Sequence, residues 1–509
     1  MNPAAPTLAG RWSTAVHRRS DAPFLVWEGT DGQVTTWSYA EFDRVVDDVA
    51  GGLVARQVGA GDAVHLVLTN SPAFVALWLA TARLGAWIVP SDPTATAREL
   101  AEHQRRTQAV LTVAVDGAEA PVAACAETDV ALVTVDVDDT RLDRLRAEAP
   151  PKRKVGPAAR AAVMFTSGTT SAPKGVEVTQ ANYAFAGDVM AAASATTADD
   201  RHLVVLPLFH ANAQYYSFAA AISAGASVTL MPRFSASGFL SAAARHGATH
   251  ASLFAAPIRM ILAAAPVPEP GLVLRHCWYA QNLTDAQYEE IAALLGCRPR
   301  QLYGMTETIP AVLTSRAIDT RPDTMGETTL GCELALLDAD GAPVPEGEVG
   351  EICVRGARGR SLFAGYLDDP ATTEASFRNG WFRTGDRARI DDGQWRFDGR
   401  RSDVLKVSGE NVSIVEVEEV VARHPAVLDV AVVGRPDPVR DEVPVAYVVA
   451  RPGGQELDVE ELAAHCETEL AKSKRPAEFH VVDELPRTSV GKIRKFLLRD
   501  PAPSGGVPS

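Results

Sequence analysis

The sequence predicts an α/β protein: a large N-terminal domain of layered α/β subdomains with a β-rich lobe, and then a small α+β C-terminal domain. Three observations carry this. The chain has 509 residues, too many for one hydrophobic core. Its early segments alternate helical and strand-like apolar patterns. The texture then changes twice, near residue 328 and near Arg400. The large domain is therefore placed at residues 1–400 with the lobe at about 328–400, the C-terminal domain at 401–500, and a disordered tail at 501–509.

The elements follow in order. "TWSYAEFDRVVDDVAGGLVARQV" has the spacing of an amphipathic helix, "DAVHLVLT" reads as a strand, "SPAFVALWLATARLG" as a capped, mostly buried helix, and "AWIVP" as a strand. The rhythm returns at "RHLVVLP", "ASVTLMP" and "GATHASLFA", the pattern of a layered α/β domain. The longest uncharged run, "HANAQYYSFAAAISAGASVTLMP" from His210, is broken by Gly225 and scattered polar residues. It predicts a buried helix followed by a strand, not a membrane span. In "GCELALLDADGAPVPEGEVGEICVRG", Asp-Gly and Pro-Glu-Gly turn signals separate β-rich runs and define the lobe. After "FDGRRSDVLKVSGENVS", helix and strand patterns alternate from "VEVEEVVARHP" to "EFHVVDELP", enough for a small domain. The tail "DPAPSGGVPS" is rich in proline, glycine and serine.

A net charge of −15 argues against a nucleic-acid or anionic-membrane partner, so any anionic ligand needs a local site. Six scattered cysteines without CxxC spacing fit reduced thiols in a cytoplasmic protein, and the N-terminus lacks the apolar core of a secretion signal. Lysine is scarce beside arginine. A lysine kept inside a Gly- or Thr-rich motif therefore points to a need for a compact ammonium.

Such a motif is "MFTSGTTSAPKGVEVTQ". Gly168 and Lys174 have the spacing of the first glycine and the lysine of a Walker A loop, but Pro173 stands where the second glycine would be. The strand-like "GVEVT" follows instead of a helix, so the loop is expected to join two strands. Backbone N–H groups, the hydroxyls of Thr166, Ser167, Thr169 and Thr170, and the Lys174 ammonium could cradle phosphate; a plain surface hairpin is the alternative. "QLYGMTETIP" sets Tyr303, Thr306 and Glu307 around Gly304, offering a ring to stack and a carboxylate for Mg²⁺. "NGWFRTGDRARI" offers Asp386 to ribose hydroxyls, and "LPRTSVGKIRKFLLR" sets Lys492 before a basic helix. Each alone has a bland reading as a strand-loop, a self-capping turn or a solvated lysine.

Their order and co-occurrence decide. The series "FTSGTTSAPKG", "PLFH", "YGMTE", "GWFRTGD", "GRRSDVLKVSGEN" and "PRTSVGKIRK" resembles, across nearly the whole chain, the adenylate-forming superfamily, and within it the acyl-CoA synthetase branch near the carnitine and medium-chain acyl ligases. The resemblance implies a carboxylic acid activated by ATP to acyl-AMP, then transferred to the thiol of coenzyme A, with Mg²⁺ assisting. It implies that Thr166 to Lys174, including Gly168, hold the β and γ phosphates, that Glu307 binds the metal, and that Thr306 lies beside the α-phosphate. Lys492 would reach the α-phosphate and the substrate carboxylate. Asp386 and Arg400 would bind ribose, and Gln281 and Tyr303 would border the nucleotide. His210, Ala280 and Gly304 would line the acyl pocket; Lys406 and Gly409 would face pantetheine. Ser402 would be the hinge of a mobile C-terminal domain, and a homodimer is compatible with all of this.

Two departures from the family pattern bear on ATP. Ser171 replaces a glycine of the phosphate loop, and "CWYAQNLTDAQ" stands where the pattern runs Gly-Gly-Ala-Pro-Leu, so Tyr279, Ala280, Gln281 and Asn282 are expected to narrow that wall. Three readings stay open: a complete ligase, a member performing only the thioester half from supplied acyl-AMP, and a non-catalytic nucleotide-binding homologue. Transfer to a carrier-protein pantetheine would use the same residues. The acyl group itself is not legible.

Overall fold

The computed structural model describes residues 6–166, 173–316, 321–400, 403–407, 410–437, 440–452, 457–488 and 493–499. Ser167, Gly168, Thr169, Thr170, Ser171, Ser402, Gly409 and Lys492 lie outside them. Among the described residues there are four sheets. A seven-stranded sheet has a parallel centre, formed by Ala63–Val67, Trp87–Pro90, Leu111–Val115, Ala131–Val135 and Arg160–Thr166. Its edge is antiparallel: Lys174–Thr179 turns back on Arg160–Thr166, and Gly365–Tyr366 adds beyond it. The nine-stranded sheet has a parallel run of Pro23–Glu28, Ser227–Leu230, Arg201–Val204, His250–Ser252, His276–Tyr279 and Arg300–Tyr303, with antiparallel strands at both margins.

The central strands are continuous apolar runs because both of their faces are covered; all five residues of Ala63–Val67 are buried. The covering helices begin where the sequence places caps. Ser38 and Glu41 form a capping box at the helix Tyr39–Ala55, and Ser71 with Pro72 opens Pro72–Leu84, which ends on Gly85 at φ 75°. The first of these helices carries adjacent glycines at 51 and 52 because the chain crosses there. A Cβ on Gly52 would lie 1.8 Å from the Leu145 carbonyl oxygen. One core, with Trp12, Phe24, Phe74, Trp78, Tyr183 and Phe218 among its large members, joins the two sheets. The uncharged run from His210 folds as a π-helix Asn212–Phe218, a helix Ala219–Ala224 and the strand Ser227–Leu230. Among the described residues no helix is long and apolar enough to cross a membrane.

The third sheet is antiparallel, built from Glu333–Leu337, Gly350–Arg355, Phe377–Arg378, Trp381–Asp391 and Gln394–Arg400. The fourth comprises Val404–Val407, Glu410–Ser413, Val427–Asp437, Asp441–Ala450 and Glu478–Val481, covered by Ile414–Ala422 and Val459–Glu469 around a valine-rich core.

Candidate active site

The loop that looked like a Walker A motif joins two antiparallel strands, with Thr166 paired to Lys174. The strand that follows Lys174 leaves no helix N-terminus to hold phosphate, so charge must come from the lysine and the loop. Thr166 Oγ1 donates to the Lys174 carbonyl at 3.5 Å. Lys174 Nζ stands 4.8 Å from the centre of the Tyr366 ring, a cation–π distance. Tyr366 is there because its strand pairs with the lysine's own, Tyr366 opposite Val176.

The Tyr366 hydroxyl donates to Glu307 Oε1 at 3.1 Å. Glu307 is 5% exposed, in the loop that leaves the C-terminal end of Arg300–Tyr303. Burial pushes its carboxyl above the usual range; the Tyr366 bond and the charges of Lys174 and Arg400 pull it back only in part. The loop itself is fixed. Thr308 Oγ1 accepts from the Met305 amide at 2.9 Å, the Phe363 amide donates to the Glu307 carbonyl at 2.9 Å, and the buried Ile309 is held at φ 69°, a strained backbone for a β-branched residue. Gly304 is required: a Cβ there would come within 2.7 Å of the Tyr216 hydroxyl. Thr306 is half-buried between Met305 and Glu307.

On the other side of that glycine lies the second carboxylate. Tyr303 OH donates to Asp386 Oδ2 at 2.7 Å, and Arg400 Nε to Oδ1 at 2.9 Å. Asp386 and Arg400 face each other across the hairpin of Trp381–Asp391 and Gln394–Arg400. Burial lowers the proton affinity of Arg400, but the Asp386 carboxylate more than offsets it, so the guanidinium stays charged. Each Asp386 oxygen keeps a further lone pair with which to accept from a diol.

The structure thus brings together Thr166, Lys174, Tyr303, Gly304, Thr306, Glu307, Asp386 and Arg400. His210 is half-buried beside Phe209, ring centres 4.8 Å apart, at the start of the π-helix that carries Tyr216. Ala280 is half-buried against the main core, and Gln281 is exposed with φ 74°. Lys406 is exposed on the C-terminal sheet, its amide bonded to Glu442 Oε2 at 2.9 Å.

Two expectations change. Tyr279 does not narrow the wall: strand alternation turns Cys277 and Tyr279 into the second core, 1% exposed in the case of Tyr279, while Trp278 and Ala280 face the main one. Asn282 faces the C-terminal domain, where its amide nitrogen donates to Glu419 Oε1 at 2.8 Å. Tyr366 went unseen in the sequence, where it stands in no motif.

A single buried carboxylate near a lysine ammonium fits Mg²⁺, which keeps most of its waters and takes one or two protein carboxylates together with substrate phosphates. A dedicated cage is not needed; among the described residues no cluster of three or more His, Cys, Asp or Glu side chains could form one.

Known proteins resemble the chain over nearly its whole length. The model of the AMP-binding enzyme family matches residues 12–367, and that of the AMP-binding enzyme C-terminal domain matches 416–492. A crotonobetaine/carnitine–CoA ligase of Escherichia coli O139:H28 is 34% identical over 488 residues, covering 92% of this chain and 94% of the relative. Among solved structures, ATP-bound MatB of Rhodopseudomonas palustris superposes with a TM-score of 0.86 at 28% identity, covering 96% of this chain and 98% of that one. The o-succinylbenzoate–CoA synthetase MenE of Bacillus subtilis, with its acyl-adenylate bound, gives 0.84 at 28% identity over 98% and 99%. The chain belongs to the AMP-binding enzymes of the adenylate-forming superfamily, in its acyl-CoA ligase branch.

Proposed function

We propose that the chain condenses a carboxylic acid with coenzyme A at the expense of ATP, through an acyl-adenylate, in the cytoplasm. The observation that carries this is the pair of buried carboxylates flanking Gly304: Asp386, held between Tyr303 and Arg400, and Glu307, held by Tyr366 near Lys174. Asp386 suits a ribose diol; Glu307 and Lys174 suit a magnesium triphosphate. The apolar, partly exposed Phe209, Ala211, Ala280 and Met305, packed against the main core, suit an acyl group.

In the first half-reaction an oxygen of the substrate carboxylate attacks the α-phosphorus. The new bond is the acyl–phosphate anhydride, and the bond to pyrophosphate breaks. Two anions must meet, so the chain's task is to neutralise charge and fix orientation. Lys174 neutralises the β and γ phosphates, with Thr166 and the loop from Ser167 to Thr170. Glu307 would hold Mg²⁺, which supplies Lewis-acid stabilisation of the phosphates when bound. Lys492 serves the α-phosphate and the incoming carboxylate. Asp386 and Arg400 anchor the ribose, and Tyr303 and Gln281 border the base. In the second half the sulfur of CoA attacks the acyl carbon and AMP leaves; Lys406 and Gly409 guide pantetheine after rotation about Ser402. No protein nucleophile is needed, because the anhydride is already activated.

A panel of carboxylic acids tests the reading, each supplied with ATP, Mg²⁺ and CoA and assayed for thioester, AMP and pyrophosphate in equal amounts. Pyrophosphate without thioester would replace CoA by another acceptor. Thioester from synthetic acyl-AMP but never from acid and ATP would reduce the chain to the second half alone.

A further inference from the structure

The segment that departs from the family pattern ends in Asn282, and every polar atom of that residue which meets a partner does so in one connected network. Its Nδ2 donates to Glu419 Oε1 at 2.8 Å, its Oδ1 accepts from Gln301 Nε2 at 3.0 Å, and its carbonyl accepts from Arg259 Nη2 at 2.9 Å. The other guanidinium nitrogen of Arg259 reaches Asp429 Oδ1 at 3.3 Å, and the second oxygen of Asp429 is bound by Arg487. Gln301, Asn282 and Arg259 belong to the large domain. Glu419 lies on the helix Ile414–Ala422, Asp429 on the strand Val427–Asp437, and Arg487 forms an antiparallel bridge with Ile493. Nearby, Lys495 Nζ binds Glu418 Oε1 at 2.7 Å. Burial draws the proton affinity of both Arg259 and Arg487 down to about 10, and raises that of Glu419. Charges so desolvated are costly unless paired, so the network holds only while the two domains stay in register.

The arrangement it holds has a direction. Next to Ile493, Arg494 is close enough to Glu99 to help lower its carboxyl. Glu99 opens the helix Ala97–Thr107, whose Arg106 donates to the Pro173 carbonyl at 2.5 Å, beside Lys174. Arg494 thus lies on the Lys174 side of the site, whereas Lys406, assigned to the CoA half, is exposed.

We propose that Asn282 and Arg259 form a latch, with Glu419 and Asp429 as its keepers, that holds the C-terminal domain in the adenylating arrangement and must open before the thioester half. They are positioning residues and touch no reacting atom; the inference rests on the two-step ligase reading above. The test uses the full-length chain and two separate assays: acid-dependent pyrophosphate release without CoA, and thioester formation from synthetic acyl-AMP and CoA. Asn282→Ala and Arg259→Ala should each lower the first rate by about tenfold, within the usual range of coupling between sites, and leave the second equal or faster. Glu419→Gln, which still offers an oxygen to Asn282, should stay near the parent in both. An equal fall in both assays, or no change in either, would overturn the latch. A parent chain active in neither assay would instead overturn the ligase reading. Asn282→Ala removes no buried charge, so it remains informative if Arg259→Ala melts early.

Discussion

Two buried carboxylates stand at opposite ends of the parallel run of the nine-stranded sheet. Asp200 precedes the strand Arg201–Val204 at the N-terminal end; Glu307 follows Arg300–Tyr303 at the C-terminal end. Asp200 is 2% exposed and saturated: the Thr197 amide and hydroxyl donate to Oδ2, Thr249 Oγ1 donates to Oδ1, and Arg275 binds both oxygens. Burial works against its charge, yet these bonds win and draw its carboxyl down to about 2. Glu307 is nearly as buried, has one side-chain hydrogen bond among the described residues, and is shifted the other way. One end of the sheet has spent its carboxylate on structure. The other keeps a carboxylate whose charge burial disfavours, near Lys174 and the glycine turn.

The sharpest way to break this comparison is at Glu307. Glu307→Gln should lower acid-dependent pyrophosphate release by about 10²- to 10³-fold, the loss usual when one preorganised electrostatic group is removed. The same variant should melt at a higher temperature than the parent in the absence of nucleotide. Its sign follows from the raised proton affinity: the folded chain holds that proton to higher pH than the unfolded one, so stability falls as pH rises from the ordinary carboxylate range to the raised value, and a neutral amide escapes this loss. Unchanged turnover, or a lower melting temperature, would remove Glu307 from the site's chemistry. Adenylation by the parent should also fade on acidification before an ordinary carboxylate would protonate.

Asp200→Asn tests the other end and should do the reverse. Losing charge-assisted bonds to Arg275 and Thr249 should destabilise the chain by about 2–3 kcal/mol, read by urea denaturation. The KM for ATP should stay where it was, because nothing that touches Asp200 touches the site. A raised KM with unchanged stability would contradict the division between the two ends.

Much of this was legible in the sequence because it depends on short-range pattern. The alternation in "GVEVT" excluded a helix after Lys174, and the antiparallel pairing of Thr166 with Lys174 agrees. The capped helices at Ser38 and Ser71 sit where their signals are. What the sequence hid depends on which face a residue takes and which distant strand it meets. In "CWYAQ", period-two alternation separates Tyr279 from Ala280, but nothing local says which face is the wall. Tyr366 reaches Glu307 only through the register of its two-residue strand against Lys174–Thr179, and Asn282 finds Glu419 across 137 positions of chain. Both are tertiary facts without a periodic trace.

The same sheet end offers the gentlest test, through histidine. His202, His250 and His276 are neighbours in register on three parallel strands, their rings stacked at 4.8 and 5.3 Å, all at most 4% exposed. His250 Nε2 donates to the Ser194 carbonyl at 3.2 Å, and His276 Nδ1 accepts from Arg300 at 3.5 Å, so the latter ring is neutral. Thr196 meets His202 and Thr249 meets His250; Arg275 and Arg300 oppose added positive charge, while Asp200 and, at His250, the Ser194 carbonyl favour it. Burial lowers all three proton affinities, that of His202 to about 3. An unfolded histidine binds its proton near pH 6.5, so the stability these neutral rings confer is complete above about 6.5 and drains away as pH falls below it. Each ring that stays neutral adds about 1.4 kcal/mol per pH unit to the slope of that loss. His202→Phe should therefore flatten the acid side of the stability curve by about one proton's worth, read as urea midpoints between pH 6.5 and 4, with no change above pH 7 beyond that of the altered packing. A slope equal to the parent's would mean that His202 is already charged in the folded chain, and that its end of the sheet is less dry than its geometry indicates.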